Sequence, residues 1–153
     1  RLAMVGFAAH MTLREDYDPS LPLAWGDPDQ LLQVVQNLLK NAAEAAGPGG
    51  GEIILRSSYE QSLRRPAATG EAALSVPLQI EIIDDGPGLP PDIAADVFDP
   101  FVSGRENGTG LGLALAAKII EEHQGLMAVS STPGKTVFRM SLPMVPADMK
   151  GEF

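Results

Sequence analysis

Two asparagines spaced four residues apart form the first pattern in the chain that could do chemistry. On a helix, Asn37 and Asn41 would lie on one face, with Lys40 close to that face. A carboxamide oxygen is a hard, neutral ligand that suits Mg2+, an ion that otherwise keeps water and phosphate oxygens around it. Asn41 is therefore a candidate magnesium ligand, although a solvated helix face is the simpler reading of this pattern taken alone.

Two aspartates and two glycines follow an apolar segment farther along the chain. The run reads Asp84-Asp85-Gly86-Pro87-Gly88. A carboxylate at a strand end can accept a hydrogen bond from an exocyclic amine, and Gly86 and Gly88 would let the backbone approach a flat ring. The pattern predicts an adenine pocket at Asp84. A plain strand-ending turn remains the alternative, since Gly-Pro-Gly punctuates many chains.

A further glycine-rich segment leads directly into a predicted helix. Free N–H groups and the dipole at a helix start favour anions, so this segment predicts a phosphate-binding site. It is not a Rossmann motif, because position 113 is Leu and no strand precedes the glycines. Nor is Gly134-Lys135-Thr136 a Walker loop, since a strand and not a helix follows it. The phosphate-binding segment reads Gly108-Thr109-Gly110-Leu111-Gly112-Leu113.

Two phenylalanines, Phe98 and Phe101, lie between the two glycine-rich segments. We interpret them as anchors of a movable lid, and a small apolar cluster under a long loop is the alternative. The lid would span Leu89 to Thr109. Its glycine content and few apolar anchors predict mobility without nucleotide, which low hydrogen-exchange protection would support and full protection would contradict.

The composition is that of one globular domain. The chain has 153 residues, of which 44% are hydrophobic and 20% are charged. The absence of cysteine excludes disulfide scaffolds, thiolate zinc sites and thiol catalysis. The net charge of -9 argues against nucleic acid as a partner, and no apolar run is long enough to predict a membrane span. Because the chain starts at Arg1 and not at Met, we expect a fragment of a longer protein.

Capping and turn signals divide the chain into elements. Asp27 as N-cap, Pro28 at the first position and Gly47 after the end predict one long helix. The order of elements predicts an α+β two-layer sandwich, with helices on one face of a mixed, mostly antiparallel sheet. We predict strands at residues 10–15, 23–25, 52–59, 78–84, 127–131 and 137–142, helices at 28–46, 93–97 and 110–123, a long connection at 60–77 and a polar tail at 144–153.

In order along the chain, four segments resemble the N, G1, F and G2 boxes of sensor histidine kinases, members of the GHKL superfamily of ATPases and kinases. Any one box is weak, but four in sequence are specific. The resemblance implies the Bergerat fold, with MgATP held between the N-box helix and a flexible lid. It implies one domain, with a lead-in segment at 1–22, an ATP-binding catalytic body at 23–143 and a tail at 144–153. The boxes are residues 37–45, 84–90, 98–101 and 108–113.

The resemblance also implies a role for each matching residue. Asn41 resembles the magnesium ligand and Asp84 the adenine-binding aspartate, and Thr136 resembles a hydroxyl that supports that aspartate through water. The residues implied in catalysis are Asn37, Lys40 and Asn41. The residues implied in ATP binding are Asn37, Lys40, Asn41, Asp84, Gly86, Gly88, Phe98, Phe101, Gly108, Thr109, Gly110, Leu111, Gly112, Leu113 and Thr136.

Three further segments are similar to the nitrogen-regulation kinases of the NtrB family, namely 14–22, 102–106 and 133–136. This similarity implies a cytoplasmic kinase that acts on an NtrC-like response regulator and is controlled by a PII signalling protein. His10 and His123 are followed by Met11 and Gln124, whereas an acidic residue follows the usual phosphoacceptor. We therefore expect the acceptor in a separate dimerisation domain, and we expect this fragment to be monomeric and unable to phosphorylate itself.

Three other functions compete with the histidine kinase. ATPases of the gyrase, MutL and heat-shock chaperone type carry a general base, a glutamate, four residues before the magnesium asparagine. Here that position is Asn37, a poor base, which favours a kinase. The Phe-Asp-Pro-Phe run at 98–101 speaks against an anti-sigma-factor serine kinase. A non-catalytic docking module for a response regulator or PII protein stays open, although the intact glycines and Asn41 argue against it.

Overall fold

A computed structural model of the protein describes residues 9–66, 70, 72–99 and 111–146. Within these residues the chain forms an open mixed sheet with helices on one face. The helices are α1 (Pro28–Ala46), α2 (Pro91–Ala94) and α3 (Leu111–Glu122). The strands are β1 (Met11–Asp16), β2 (Gly51–Tyr59), β3 (Arg64–Arg65), β4 (Leu74–Ser75), β5 (Leu78–Asp84), β6 (Leu126–Thr132) and β7 (Lys135–Leu142).

The main sheet has the strand order β1-β2-β5-β7-β6 in the described part of the chain. β1 and β2 are parallel, and every other neighbouring pair in this sheet is antiparallel. Parallel neighbours need a crossover connection, and α1 supplies it between β1 and β2. The predicted α+β architecture is confirmed, and β5 lies at the centre of the sheet.

Helix α1 begins and ends where its sequence signals predict. The Asp27 carboxylate oxygen Oδ1 accepts hydrogen bonds from the backbone N–H groups of Asp29, at 2.9 Å, and Gln30, at 3.3 Å. Gly47 ends the helix with φ of 73°, a value that glycine adopts without steric cost. The helix buries one apolar face, which packs on α3 and the sheet. That face includes Val34, Leu38, Leu39, Ala42 and Ala43.

The hydrophobic core fills the space between the helices and the sheet. Ile53, Ile82 and Phe138 bring it contributions from three adjacent strands, and none of them is exposed to solvent. Helix α3 contributes Ala116 and Ile120, which are also fully buried. This core fixes the positions of α1, the end of β5 and the start of α3, where the predicted site residues lie.

Two predictions near the ends of the domain are wrong. Residues 23–25 are not a strand but one isolated bridge, in which Ala24 pairs with Met144. The segment is too short for a ladder because Gly26 and the helix cap Asp27 follow at once. The predicted polar tail begins too early, since Val145 is only 5% exposed and its N–H donates to the carbonyl of Leu23.

Other differences concern the limits of elements. The connection predicted at 60–77 contains the short pair β3 and β4. The helical turn predicted at 93–97 begins earlier, because Pro91 is preorganised for a first helical position. His10, predicted in a strand, lies in the turn before β1, and Gly110, the predicted start of the second long helix, lies outside the described residues.

His123 joins the end of α3 to the start of α1. Its Nε2 atom lies 3.0 Å from the backbone N of Asp27, and its Nδ1 atom lies 2.7 Å from the carbonyl oxygen of Ile119. The neutral tautomer with a proton on Nδ1 satisfies both contacts. His123 therefore has a structural role in this part of the molecule, as predicted. Over the residues described, none of the helices combines the length and hydropathy that crossing a bilayer requires.

Candidate nucleotide-binding site

Asp84 is a buried carboxylate at the end of the central strand β5. It is 3% exposed, and its register partners are Ile53 on β2 and Thr136 on β7. The backbone N–H of Gly86 donates to its Oδ1 atom at 3.0 Å. A β-carbon at Gly86 would lie 2.9 Å from the same oxygen, so glycine is needed for this close approach. The carboxylate is thus fixed by the loop that follows it.

The glycine loop, residues 85–89, is held against the β6–β7 hairpin. The N–H of Gly134 donates to the carbonyl of Gly86 at 2.9 Å, and the N–H of Leu89 donates to the Ser131 hydroxyl oxygen at 2.8 Å. Gly88 has φ of 88°, and a β-carbon there would lie 2.8 Å from the carbonyl oxygen of Thr132. The loop that would face an adenine ring is therefore shaped by contacts with the hairpin as well as by its own glycines.

Ser131 is a residue of this region that the sequence patterns did not reveal. Its Oγ atom lies 2.8 Å from the hydroxyl oxygen of Thr136, its partner across the hairpin. Thr136 is 3% exposed and is also the register partner of Asp84 on the neighbouring strand. The hairpin register could have revealed Ser131, because it pairs these two hydroxyl side chains, but the strand pattern alone does not single it out.

Replacing Ser131 with alanine is expected to loosen the glycine loop. The Leu89 N–H loses its acceptor, and an unsatisfied, partly buried donor costs about 1–3 kcal/mol. We expect faster hydrogen exchange at the Leu89 amide and weaker nucleotide binding. Ser130→Ala is the matched control, because Ser130 is a neighbouring serine on the same strand that makes no bond to this loop among the described contacts. Equal exchange rates in the two variants would show that Ser131 does not hold the loop.

The predicted asparagines of α1 have different surroundings. Asn41 is 8% exposed, so its carboxamide is held inside the fold, whereas Lys40 is exposed. The Asn37 Nδ2 atom donates to the carbonyl of Gly112 at 3.3 Å, and this bond joins α1 to the first turn of α3. The structure thus brings the N-box helix to the end of the predicted phosphate-binding segment.

The predicted lid begins with an anchored part. Phe98 packs edge to face on Phe138, with ring centroids 6.1 Å apart and planes at 75°. Val97 is 2% exposed, and Leu89 is bonded to the hairpin. Mobility predicted from Leu89 onward is therefore wrong for residues 89–99, which are held by apolar packing and a hydrogen bond. For residues 100–109 it stays a prediction, because these residues lie outside the described part of the chain.

The remaining predicted ATP contacts divide into two groups. In the first turn of α3, Leu113 is buried in the core, Leu111 is 46% exposed, and a β-carbon at Gly112 would meet open space. This helix start is thus anchored by one leucine and open at the glycine. The others lie outside the described residues and keep the status of predictions: Phe101, Gly108, Thr109 and Gly110.

The side chains present fit a magnesium ion that arrives with phosphates. No group of three or more His, Cys, Asp or Glu residues that could hold a metal ion occurs in the described ranges. Mg2+ needs few protein ligands when phosphate oxygens and water complete its octahedron. One buried carboxamide, that of Asn41, is a suitable oxygen donor for such an ion.

The resolved pKa shifts belong to other parts of the surface. The Ser20 hydroxyl and N–H lower the pKa of Asp18, and those of Ser62 lower the pKa of Glu60. Partial burial, and then the nearby charge of Glu15, raise the pKa of Tyr17. These groups lie in local turns and beside β1, and they take no part in the candidate site.

Comparison with known proteins gives consistent relatives. The chain is 60% identical over 149 residues to the sensory histidine kinase/phosphatase NtrB of Rhodobacter capsulatus, covering 96% of this chain and 41% of that protein. It is 47% identical over 153 residues to NtrB of Azospirillum brasilense, covering 99% of this chain and 38% of that protein. The chain thus spans about two fifths of the length of these relatives.

Solved structures agree with the fold. The mycobacterial sensor histidine kinase MprB superposes with a TM-score of 0.70 at 26% identity, over 91% of this chain and 85% of that one. Full-length ShkA in complex with AMPPNP has a TM-score of 0.73 at 24% identity, over 95% of this chain and 28% of that one, a likeness of fold alone.

The family model described as histidine kinase-, DNA gyrase B- and HSP90-like ATPase matches residues 26–146. That span contains α1 with its asparagines, the buried Asp84 with its glycine loop, and the helix start at Leu111. It also ends beyond Val145, which is buried in the fold. The chain therefore belongs to the family of histidine kinase-, DNA gyrase B- and HSP90-like ATPases.

Proposed function

We propose that this chain is the ATP-binding catalytic domain of a nitrogen-regulation sensor histidine kinase, and that it transfers the γ-phosphoryl group of MgATP to a histidine in a separate dimerisation domain. The observation that carries the proposal is the buried Asp84 carboxylate, fixed by the Gly86 N–H at the end of β5. A carboxylate held in this way is preorganised to accept a hydrogen bond from the exocyclic amine of adenine.

The proposed catalytic contribution of the domain is positioning and charge neutralisation. Phosphoryl transfer needs little covalent chemistry from the protein, so nucleotide orientation and metal placement supply most of the effect. We assign Asn41 to the metal and Lys40 to a phosphate. Asn37 donates to the carbonyl of Gly112, a contact that holds α3 against α1, and its carboxamide is no general base. This favours transfer to a histidine over hydrolysis.

The proposal extends to partners and setting. The identity with NtrB proteins supports a response regulator of the NtrC type as the downstream partner and a PII protein as a regulator. We propose a cytoplasmic, monomeric domain, with its own dimerisation domain as the immediate substrate. Its catalytic body would run from residue 23 to Val145, because Val145 is part of the core.

The test is calorimetric titration of this chain with a non-hydrolysable ATP analogue, with and without Mg2+. One-site binding that Mg2+ strengthens is expected, followed by phosphorylation of a separately supplied histidine domain when ATP is used. Nucleotide binding without any transfer would support the docking module instead. Absence of binding under both conditions would overturn the nucleotide site itself.

Replacing Asn41 with alanine is expected to remove most of the strengthening that Mg2+ gives to nucleotide binding. Loss even of groups that only orient a metal ligand weakens metal affinity by about 10- to 100-fold, and loss of a direct ligand should reach this range. The readout is the ratio of dissociation constants without and with Mg2+. Gln33→Ala, which removes an exposed carboxamide from the same helix, should leave the ratio unchanged. An unchanged ratio in the Asn41 variant would assign the metal elsewhere.

A further inference from the structure

A groove at the far end of α1 from the candidate nucleotide site has no part in the proposed function. It has a volume of about 720 Å3 and is formed by residues 23–28, residues 122–124 and Val145. We name it the Trp25 groove. Asn41 lies thirteen residues beyond Pro28 on α1, about 20 Å away at the rise of an α-helix. A ligand in the Trp25 groove would therefore not touch a nucleotide bound near Asn41 and Asp84.

The groove has an open backbone edge. The carbonyl of Leu23 accepts from the N–H of Val145 at 3.0 Å, and the N–H of Trp25 donates to the carbonyl of Pro143 at 3.3 Å. In an extended segment, successive residues direct their backbone groups to opposite sides. The N–H and carbonyl of Ala24 thus point away from residues 143–145, and neither has a hydrogen-bond partner among the described residues. An extended peptide could pair with this edge.

The side chains of the groove favour a basic, partly apolar ligand. Leu23 is 64% exposed and Trp25 is 39% exposed, which is unusual for large apolar side chains so close together. Among the described lining residues, the charged side chains are two carboxylates, Asp27 and Glu122, and neither Lys nor Arg is present. An indole face beside carboxylates is a favourable environment for a guanidinium or ammonium group.

The groove is also preorganised. His123 bonds both to the Asp27 N–H and to the carbonyl of Ile119, and this fixes the end of α3 relative to the start of α1. Oδ1 of Asp27 takes both capping bonds, and its Oδ2 has no hydrogen bond within the described part of the chain. A rigid surface with an available carboxylate oxygen loses little conformational entropy when a ligand binds.

We propose that the Trp25 groove binds an extended, basic segment of a partner protein, which adds as a strand along residues 23–25. Its backbone pairs with Ala24, an apolar side chain packs on Leu23, and a Lys or Arg side chain lies against Trp25 between Asp27 and Glu122. The proposal does not depend on nucleotide binding, because the groove lies at the opposite end of α1.

The first experiment titrates the whole chain with an acetylated, amidated peptide of alternating Val and Arg residues. Trp25 is the single tryptophan, so its intrinsic fluorescence reports on the groove directly. A saturable change is expected, together with a shift and slower hydrogen exchange of the Ala24 amide. A peptide of alternating Val and Glu should give neither. Equal binding of both peptides, or no saturable change with the basic one, would overturn the proposal.

Two variants and one matched control test the charges. Glu122→Gln removes a groove carboxylate, and Asp27→Asn removes the other while keeping a side chain that caps helices well. Each should weaken the basic peptide about two- to fivefold, the usual range for one exposed ion pair. Glu121→Gln, on the neighbouring exposed residue of the same helix turn, should not. Equal weakening by the Glu121 and Glu122 variants would contradict a specific groove.

Two further outcomes distinguish a partner segment from effects at the nucleotide site and from an occupant within the chain. Binding of the ATP analogue should be unchanged in all three variants, so a failed nucleotide titration and a failed peptide titration are independent results. A saturable fluorescence change that occurs only after residues 147–153 are removed would identify the chain's own C-terminal residues as the occupant. That result would contradict a partner segment.

Discussion

Replacement of Asp84 with asparagine is expected to weaken binding of the ATP analogue by about 10- to 100-fold, the equivalent of one lost hydrogen bond to a charged group. The carboxylate Oδ1 accepts from the Gly86 N–H, and we assign Oδ2 to the adenine amine. In the variant, the carbonyl oxygen would keep the bond to Gly86 and the new NH2 group would meet the amine donor to donor. The measurement is calorimetric titration in the presence of Mg2+.

The matched control is Asp85→Asn. Asp85 is the exposed neighbour, and its Oδ1 accepts from the Glu52 N–H at 3.1 Å, a bond that an asparagine oxygen can also accept. This variant should bind the analogue like the original chain. Affinity for a GTP analogue gives a second readout, because guanine has a carbonyl in place of the amine and should be rejected by Asp84 but less so by asparagine. Near-normal affinity in a folded Asp84 variant would assign adenine recognition to another group.

The elements that could be predicted from the sequence are those with local signals. Asp27 and Pro28 define the start of α1 through bonds within one helical turn, and the apolar run from Leu78 to Asp84 matches β5 residue for residue. The candidate site residues on these elements, Asn41 and Asp84, could be predicted for the same reason. Each lies on a strong element, and its burial follows from the periodicity of its neighbours.

The features that escaped prediction depend on contacts between distant residues. Ser131 has the same local pattern as Ser130, and only the bond from Leu89, 42 positions earlier, distinguishes it. His123 likewise bonds to the N–H of Asp27, 96 positions away. In a capping box that N–H would be bonded by Gln30. Tertiary contacts of this kind have no signature in a short window of sequence.

The lid shows the same limit in energetic terms. Glycine content predicts freedom of the backbone, but it does not show whether an aromatic side chain has a buried partner. Phe98 has one in Phe138, so this segment is held by the core even though its sequence resembles a loop. The stability of the start of the lid is therefore coupled to strand β7.

Replacing Phe138 with alanine is expected to lower the free energy of unfolding by about 3–5 kcal/mol, because it removes a fully buried ring and leaves a cavity. That is a large part of the roughly 5–15 kcal/mol that stabilises an ordinary domain. Urea unfolding followed by circular dichroism measures it. Val137→Ala, at the neighbouring half-buried position of β7, should lower the unfolding free energy much less.

The coupling to the lid is tested by combining Phe138→Ala with Phe98→Ala. An edge-to-face pair contributes about 0.5–1.5 kcal/mol beyond burial, so the double variant should be less destabilised than the sum of the single variants by that amount. The Phe138 variant should also exchange amide hydrogens faster in residues 89–99. Strict additivity with unchanged exchange would mean that the glycine loop and hairpin, through Leu89 and Ser131, hold this segment without help from the aromatic pair.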